Sequence, residues 1–239
     1  MTKSTTLCEL AKDPQAALLV IDLQPDFYPG GPLPVEGGDQ VAEWVAPWMQ
    51  RFETVVVTKD SHPQNSISFA RFFEGKKAFD TLSLEEVRQD KVVSAEFSKA
   101  ELVAYLEKNP QKAQRLWPVH CVRGTPGWEI DARLPMSEST IVLSKGTRRE
   151  ADSLSAFSEN DGASTGLGAM LRERGIKKLV VTGLAGDYCV YWTAKDGIRE
   201  GFQVVLPLAL TRFVNFPENS REQALEDLKL RGAQILAED

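Results

Sequence analysis

The stretch Lys178-Leu179-Val180-Val181-Thr182-Gly183-Leu184-Ala185-Gly186-Asp187-Tyr188-Cys189-Val190 changes character in its middle, and that change decides the fold class. Its first five residues centre on the apolar run Leu179-Val180-Val181, which suits a strand buried on both faces. Small residues follow. A helical pattern then runs from Asp187 to Glu200 and is closed by Gly201, as helices often are. A buried strand feeding a helix through a short turn is the unit of a parallel sheet.

Outward from this unit the pattern repeats. Ala16–Asp22, Thr54–Thr58, Thr140–Leu143 and Gln203–Leu206 read as further buried strands, and Ala233–Leu236 as a weaker sixth. Helical patterns lie at Asp39–Phe52, ended or kinked near Pro47, at Gly166–Arg174 before Gly175, and at Pro217–Arg231 before Gly232. The expectation is an α/β fold: a three-layer, doubly wound sheet of about six mainly parallel strands with helices on both faces. One domain over 1–239 accounts for the length.

The alternation breaks between Phe69 and Arg115. This stretch has no strong buried strand and carries two short charged helical patterns, Ser83–Gln89 and Ser98–Lys108. It reads as a helical insertion after the second strand, at about 69–115. It either forms a wall of a site or decorates the surface, since long insertions cost little loop entropy.

The chain has 239 residues, 42% hydrophobic and 26% charged, with a formal net charge of -6 and no basic block. That balance disfavours nucleic acid and anionic membranes as partners. No apolar run approaches the roughly 20 residues of a membrane span. The N-terminal segment lacks the apolar stretch of a signal peptide, so a cytoplasmic location is expected. Three scattered cysteines, Cys8, Cys121 and Cys189, are then free thiols.

Ligands of open parallel sheets bind beyond the carboxyl ends of the strands. Polar residues gather there: Asp22 after the first strand, Asp60 and His62 after the second, Lys145 after the Thr140–Leu143 run, and Cys189 past the quoted strand. Cys189 falls in the first turn of its helix, where unpaired N–H groups and the helix dipole favour a thiolate and a developing oxyanion. Taken alone, a free cysteine is more often an inert core residue. If Lys145 and Asp22 reach Cys189, lysine stabilises the thiolate by charge and aspartate relays its proton to a leaving nitrogen. No histidine is then needed as base. The two histidines of the chain, His62 and His120, combine with Asp60 into a ligand set suited to a divalent first-row metal with open positions. Spacing alone leaves packed, non-ligating histidines as an equal alternative. Neither a Gly-x-Gly-x-x-Gly opening a helix nor a Walker loop occurs.

These residues carry a resemblance. The segments ALLVIDLQPDFYPGGPLPVEGGD (17–39), VVVTKDSHPQNSISFA (55–70), LWPVHCVRGTPG (116–127), IVLSKG with DSLSAF (141–157) and VVTGLAGDYCVYWTAKDG (180–197) resemble, in order, those of the nicotinamidases of the isochorismatase-like cysteine hydrolase superfamily. The resemblance implies an Asp22-Lys145-Cys189 triad and one divalent metal, zinc as first choice with iron or manganese as alternatives, on Asp60, His62 and His120. It implies ring contacts from Phe27 and Trp117, with Leu154, Leu184, Ala185 and Tyr188 also at the substrate. A cis Leu184–Ala185 peptide would lie beside an oxyanion hole made by the N–H groups of Ala185 and Cys189. The implied reaction is hydrolysis of nicotinamide to nicotinate and ammonia through a thioester, serving NAD salvage and extending to pyrazinamide-like analogues. The partner is a small-molecule amide, and a homo-oligomer is compatible.

Two positions depart from the family's pattern. Ser66 stands where many relatives place another histidine, so it would hold a metal-bound water rather than the metal. Leu154 stands where relatives often have tyrosine, which bears on substrate preference. Sister amidases acting on carbamoyl or other small amides generally lack the metal set, and the full triad argues against a non-catalytic binding protein. Isochorismatase chemistry does not call for the nucleophilic cysteine.

Overall fold

In the computed structural model, residues 6–237 are described. Six parallel strands form one sheet: β1 (Ala16–Ile21), β2 (Thr54–Asp60), β5 (Ile141–Lys145), β6 (Lys178–Gly183), β7 (Gln203–Pro207) and β8 (Gln234–Leu236), in the order β5-β2-β1-β6-β7-β8. Two shorter strands, β3 (Thr81–Ser83) and β4 (Ala113–Arg115), pair with each other elsewhere, antiparallel. The helices are α1 (Leu7–Leu10), α2 (Val41–Met49), α3 (Leu84–Arg88), α4 (Lys99–Lys108), α5 (Leu167–Glu173), α6 (Cys189–Arg199) and α7 (Ser220–Leu230).

The central strand shows why its sequence is uniformly apolar. All six residues of β1 are buried, and successive ones point to opposite faces. Ala16, Leu18 and Val20 enter one core with Val41, Ala42, Val45 and Met49 of α2. Ala17, Leu19 and Ile21 enter the other with Leu167 and Leu171 of α5, Val190 and Ala194 of α6, and Leu228 of α7. The expected three layers are present. The α2 helix runs through Pro47 and ends two residues later, at Met49. Among the described residues, no helix is long and apolar enough to cross a membrane.

Two expectations need correction. The Thr140–Leu143 run is not buried on both faces: β5 is an edge strand and Val142 is 49% exposed. An apolar run reports propensity, and whether a layer covers it depends on the rest of the chain. The insertion also contains strands as well as helices, the β3–β4 pair, with Leu82 opposite Gln114. Its helices start at the expected serines. Ser83 and Ser98 each close a capping box, with Glu86 and Glu101. A third core lies within this region, with Leu82, Val87, Phe97, Leu102 and Leu106 among its members.

The sheet order places the site. From β1 the chain steps to β2 and β5 on one side, then crosses to β6 on the other. Strand order therefore reverses around β1, and the crevice for a ligand lies at the carboxyl ends there. Register aligns the chemistry: Asp60 lies beside Lys145, and Ile21, just before Asp22, lies beside Gly183.

Candidate active site

Asp22 follows β1 directly, with φ 49°, and is fully buried. Its backbone N–H donates to Thr58 Oγ1 (3.0 Å), and that hydroxyl donates to Asp22 Oδ1 (2.6 Å). Lys145, the last residue of β5, is also fully buried. Its Nζ lies 2.9 Å from Asp22 Oδ2 and 3.2 Å from Asp60 Oδ1, and donates to the Ser153 carbonyl (3.0 Å) and to Cys189 Sγ (3.6 Å). One ammonium thus joins three strand ends to the first residue of α6. Asp22, Lys145 and Cys189 are brought together, although they are far apart in sequence.

Burial sets the electrostatics. Burial opposes the charge on Lys145, but Asp22 and Asp60 beside it hold its pKa well above the ordinary lysine value. Burial pushes the Asp22 carboxyl up, against the pull of Lys145. Burial also pushes the Cys189 thiol well up, and Lys145 offsets this only in part. The helix N-terminus alone suggested a depressed thiol pKa. Removal from water, with Asp22 and Asp60 nearby, acts in the opposite sense and raises the thiol.

The turn before α6 leaves donors free. Leu184 N–H donates to Ile21 O, Gly186 N–H to Arg212 O, and Tyr188 and Val190 N–H to Ala185 O. Among the described residues, the N–H groups of Ala185 and Cys189 have no partner. The Leu184–Ala185 peptide is cis. Gly183 (φ +104°) is required here: a Cβ would stand 2.2 Å from the Ile21 carbonyl oxygen.

The ligand set converges as well. Ligand atoms of Asp60, His62 and His120 all lie within 4.8 Å of one another, and all three residues are buried. His62 Nε2 is 3.2 Å and His120 Nε2 is 3.4 Å from Asp60 Oδ2. His120 Nδ1 lies 2.8 Å from the Pro118 carbonyl, which fixes the proton there in the neutral ring and leaves Nε2 as a lone pair. Two imidazoles and a carboxylate gathered this closely at one buried point are a donor set that fits a metal ion. Gln24 holds Asp60 in place. Its amide accepts from Asp60 N–H (2.7 Å) and donates to Asp60 O (2.9 Å). Gly146 packs against the His62 ring, where a Cβ would come within 2.8 Å of Cε1.

A pocket opens over these groups, with Cys189, Asp60 and His120 in its wall. Phe27, Trp117, Leu154, Ala185 and Tyr188, expected at a substrate, are among the residues that line it. Phe27 meets His120 edge-on, with centroids 5.5 Å apart. Leu184 does not line the pocket; its side chain is fully buried and packs toward Gly38. Ser66 is fully buried, and its hydroxyl pairs with that of Ser68 (2.9 Å).

Sequence reasoning missed several wall residues. Phe79 reaches the pocket from the insertion and meets Trp117 edge-on at 5.9 Å. The insertion therefore forms part of the wall. Asp152 and Ser153 also line the pocket. They belong to the DSLSAF run, and the signal available was a carboxylate shortly after Lys145. Val214 comes from the loop before α7. Asp187 ties that loop down by accepting from the N–H groups of Val214 (3.0 Å) and Asn215 (2.8 Å). The Tyr188 hydroxyl donates to the Phe216 carbonyl, and Phe216 meets Phe79 edge-on at 5.0 Å.

The Isochorismatase domain model matches residues 16–239. The chain is 35% identical over 222 residues to a nicotinamidase from Acinetobacter baylyi, covering 92% of each chain. It superposes on a solved nicotinamidase/pyrazinamidase from Acinetobacter baumanii with a TM-score of 0.80, at 33% identity, over 95% of this chain and 97% of that one. It also matches a pyrazinamidase of Pyrococcus horikoshii solved in complex with zinc, with a TM-score of 0.68, at 30% identity, over 94% of this chain and all of the other.

Proposed function

The chain belongs to the isochorismatase family, and on that footing we propose that it is an amidohydrolase converting nicotinamide to nicotinate and ammonia. One observation carries this reading. Lys145 Nζ contacts Asp22 and Cys189 while also touching Asp60, so a nucleophile set and a metal-ligand set meet at one pocket, through Cys189 on one side and Asp60 and His120 on the other. The relatives named above match over nearly the whole chain and are nicotinamidases or pyrazinamidases.

Cys189 is the nucleophile, with Asp22 and Lys145 completing the triad. Asp22, made more basic by burial, takes the thiol proton as Sγ attacks the amide carbonyl carbon. Lys145 keeps its positive charge between the two and offsets the negative charge that moves toward sulfur. The free N–H groups of Ala185 and Cys189 receive the developing oxyanion. Asp22 then delivers its proton to the departing nitrogen, ammonia leaves, and a thioester remains on Cys189. Water, deprotonated by Asp22, hydrolyses the thioester and restores the thiol. Phe27, Trp117, Leu154 and Tyr188 enclose the aromatic ring and keep the amide over Sγ.

Asp60, His62 and His120 would hold one divalent ion. Zinc is the first choice, as in the Pyrococcus horikoshii pyrazinamidase, with iron or manganese as alternatives, and Ser66 would hold a water beside it. When bound, the ion supplies a positive charge that orients and polarises the substrate. Pyrazinamide-like amides fit the same ring site and are expected substrates. NAD salvage in the cytoplasm is the setting this activity suits.

The test is ammonia release across a panel of small amides, with and without a chelator. Nicotinamide should lead the panel, and chelation should suppress its turnover. A carbamoyl or aliphatic amide leading the panel, with the chelator without effect, would replace this reading by that of a sister amidase.

A further inference from the structure

Asp152 is 2% exposed and lies against Trp117, whose indole Nε1–H donates to Asp152 Oδ2 at 3.1 Å. The same oxygen accepts from Gln114 Nε2 at 2.6 Å. Gln114 belongs to β4 in the insertion and is also 2% exposed. Its amide is fully committed. Nε2 donates a second bond to the Arg115 carbonyl (2.6 Å), and Oε1 accepts from the Tyr105 hydroxyl of α4 and from Asn160 Nδ2 (3.4 Å). Both donors and both acceptor sites of the amide are used, so its orientation is fixed and cannot reverse without opposing Asp152.

The backbone of Trp117 is fixed by bonds to Ser68 O and from Ala70 N–H, while its ring meets Phe79 and, at 5.3 Å, Tyr188 edge-on. Such contacts permit the indole to tilt; a buried hydrogen bond to a carboxylate does not. We infer that Gln114 is a positioning residue for substrate binding: it orients Asp152, and Asp152 locks the Trp117 indole that forms the ring wall of the pocket. The insertion thus acts on the site from a strand that never touches substrate. This inference rests on the reading of the pocket as a ring-binding amidase site.

The test uses the full-length, metal-loaded protein with Gln114→Leu, which keeps side-chain volume and removes the amide, and Trp117→Phe, which keeps a ring and removes the N–H. Gln114→Leu should raise KM for nicotinamide by about tenfold while kcat changes less than about twofold, the split expected when ground-state binding is lost. In the Trp117→Phe background the same substitution should add less than about twofold, because the coupled partner is gone. Tyr105→Phe, a milder change at the far end of the chain of bonds, should raise KM in the same direction and serves if Gln114→Leu does not fold.

A second readout needs no turnover. Of the indole N–H resonances of the five tryptophans, the one lost in Trp117→Phe should exchange slowly with solvent. Its exchange should speed up by at least about tenfold in the Gln114 or Tyr105 variant. If wild type does not release ammonia from nicotinamide, the substrate reading fails while the indole readout still tests the tether. An unchanged Trp117 signal in both variants, an additive effect in the Trp117→Phe background, or a fall in metal content with KM unchanged would overturn the inference.

Discussion

Lys145 Nζ lies 3.6 Å from Cys189 Sγ, with Lys145 fully buried behind the pocket and Cys189 buried in its wall. A lysine buried this deeply is kept charged by its carboxylates, so it acts as a fixed positive charge at the base of the pocket.

Replacing that charge should cost stability as well as activity. Lys145→Met leaves Asp22 and Asp60 facing one another in the protein interior without a counter-charge. The expected loss is about 3–5 kcal/mol of folding free energy, the range for breaking a buried ion pair by removing one partner. Urea denaturation checks this. A variant as stable as wild type would show that the two carboxylates do not depend on Lys145.

The metal set makes a separate prediction. Protein purified without chelator should carry close to one divalent ion per chain, and His120→Ala should reduce metal affinity by about 10-fold or more. Elemental analysis and metal titration measure both. Metal-free protein with full activity would remove the role given to Asp60, His62 and His120. Ser66→His should tighten the metal titration, and an unchanged curve would place Ser66 outside the water shell.

Glu159, which does not line the pocket, gives a pH signature of its own. Burial pushes its carboxyl pKa up to about 7, from an ordinary 4.5, and Oε2 is buried with no hydrogen-bond partner among the described residues. A raised value means the fold favours the protonated form. That advantage is fully present below about 4.5 and lost as pH rises through about 7. Glu159→Gln, which stays neutral, should therefore match wild type at acid pH and exceed it by about 1 kcal/mol at pH near 8, after discounting for partial exposure. Melting temperatures across that range test it. A pH-independent difference would rule out a titrating Glu159 as the cause.

Asp22, Asp60, Lys145 and Cys189 were legible in the sequence for a common reason. Each sits at or shortly past the end of an apolar run, and strand ends on one side of a parallel sheet converge by topology. The histidines were legible because only two exist; His62 lies just past the end of β2, whereas His120 stands in an irregular segment and was paired with it for want of another imidazole. Phe79 and Asp152 were not, because they sit in irregular segments where no periodicity reports direction. The β3 and β4 strands, three residues each, are too short to show alternation. The exposure of Val142 depends on β5 lying at the sheet edge, and the sign of the Cys189 shift depends on how completely the fold excludes water from the thiol. Both are properties of the assembled layers rather than of any local stretch.

The central claim is covalent attack by Cys189, and acid-quenched mass spectrometry of protein mixed with excess nicotinamide tests it most directly. The account predicts a nicotinoyl group on the peptide carrying Cys189. Cys189→Ala should lack this adduct and release ammonia at least about 10⁴-fold more slowly, while keeping the wild-type fold. Ammonia release at the wild-type rate from Cys189→Ala, or an acyl group on another residue, would contradict it.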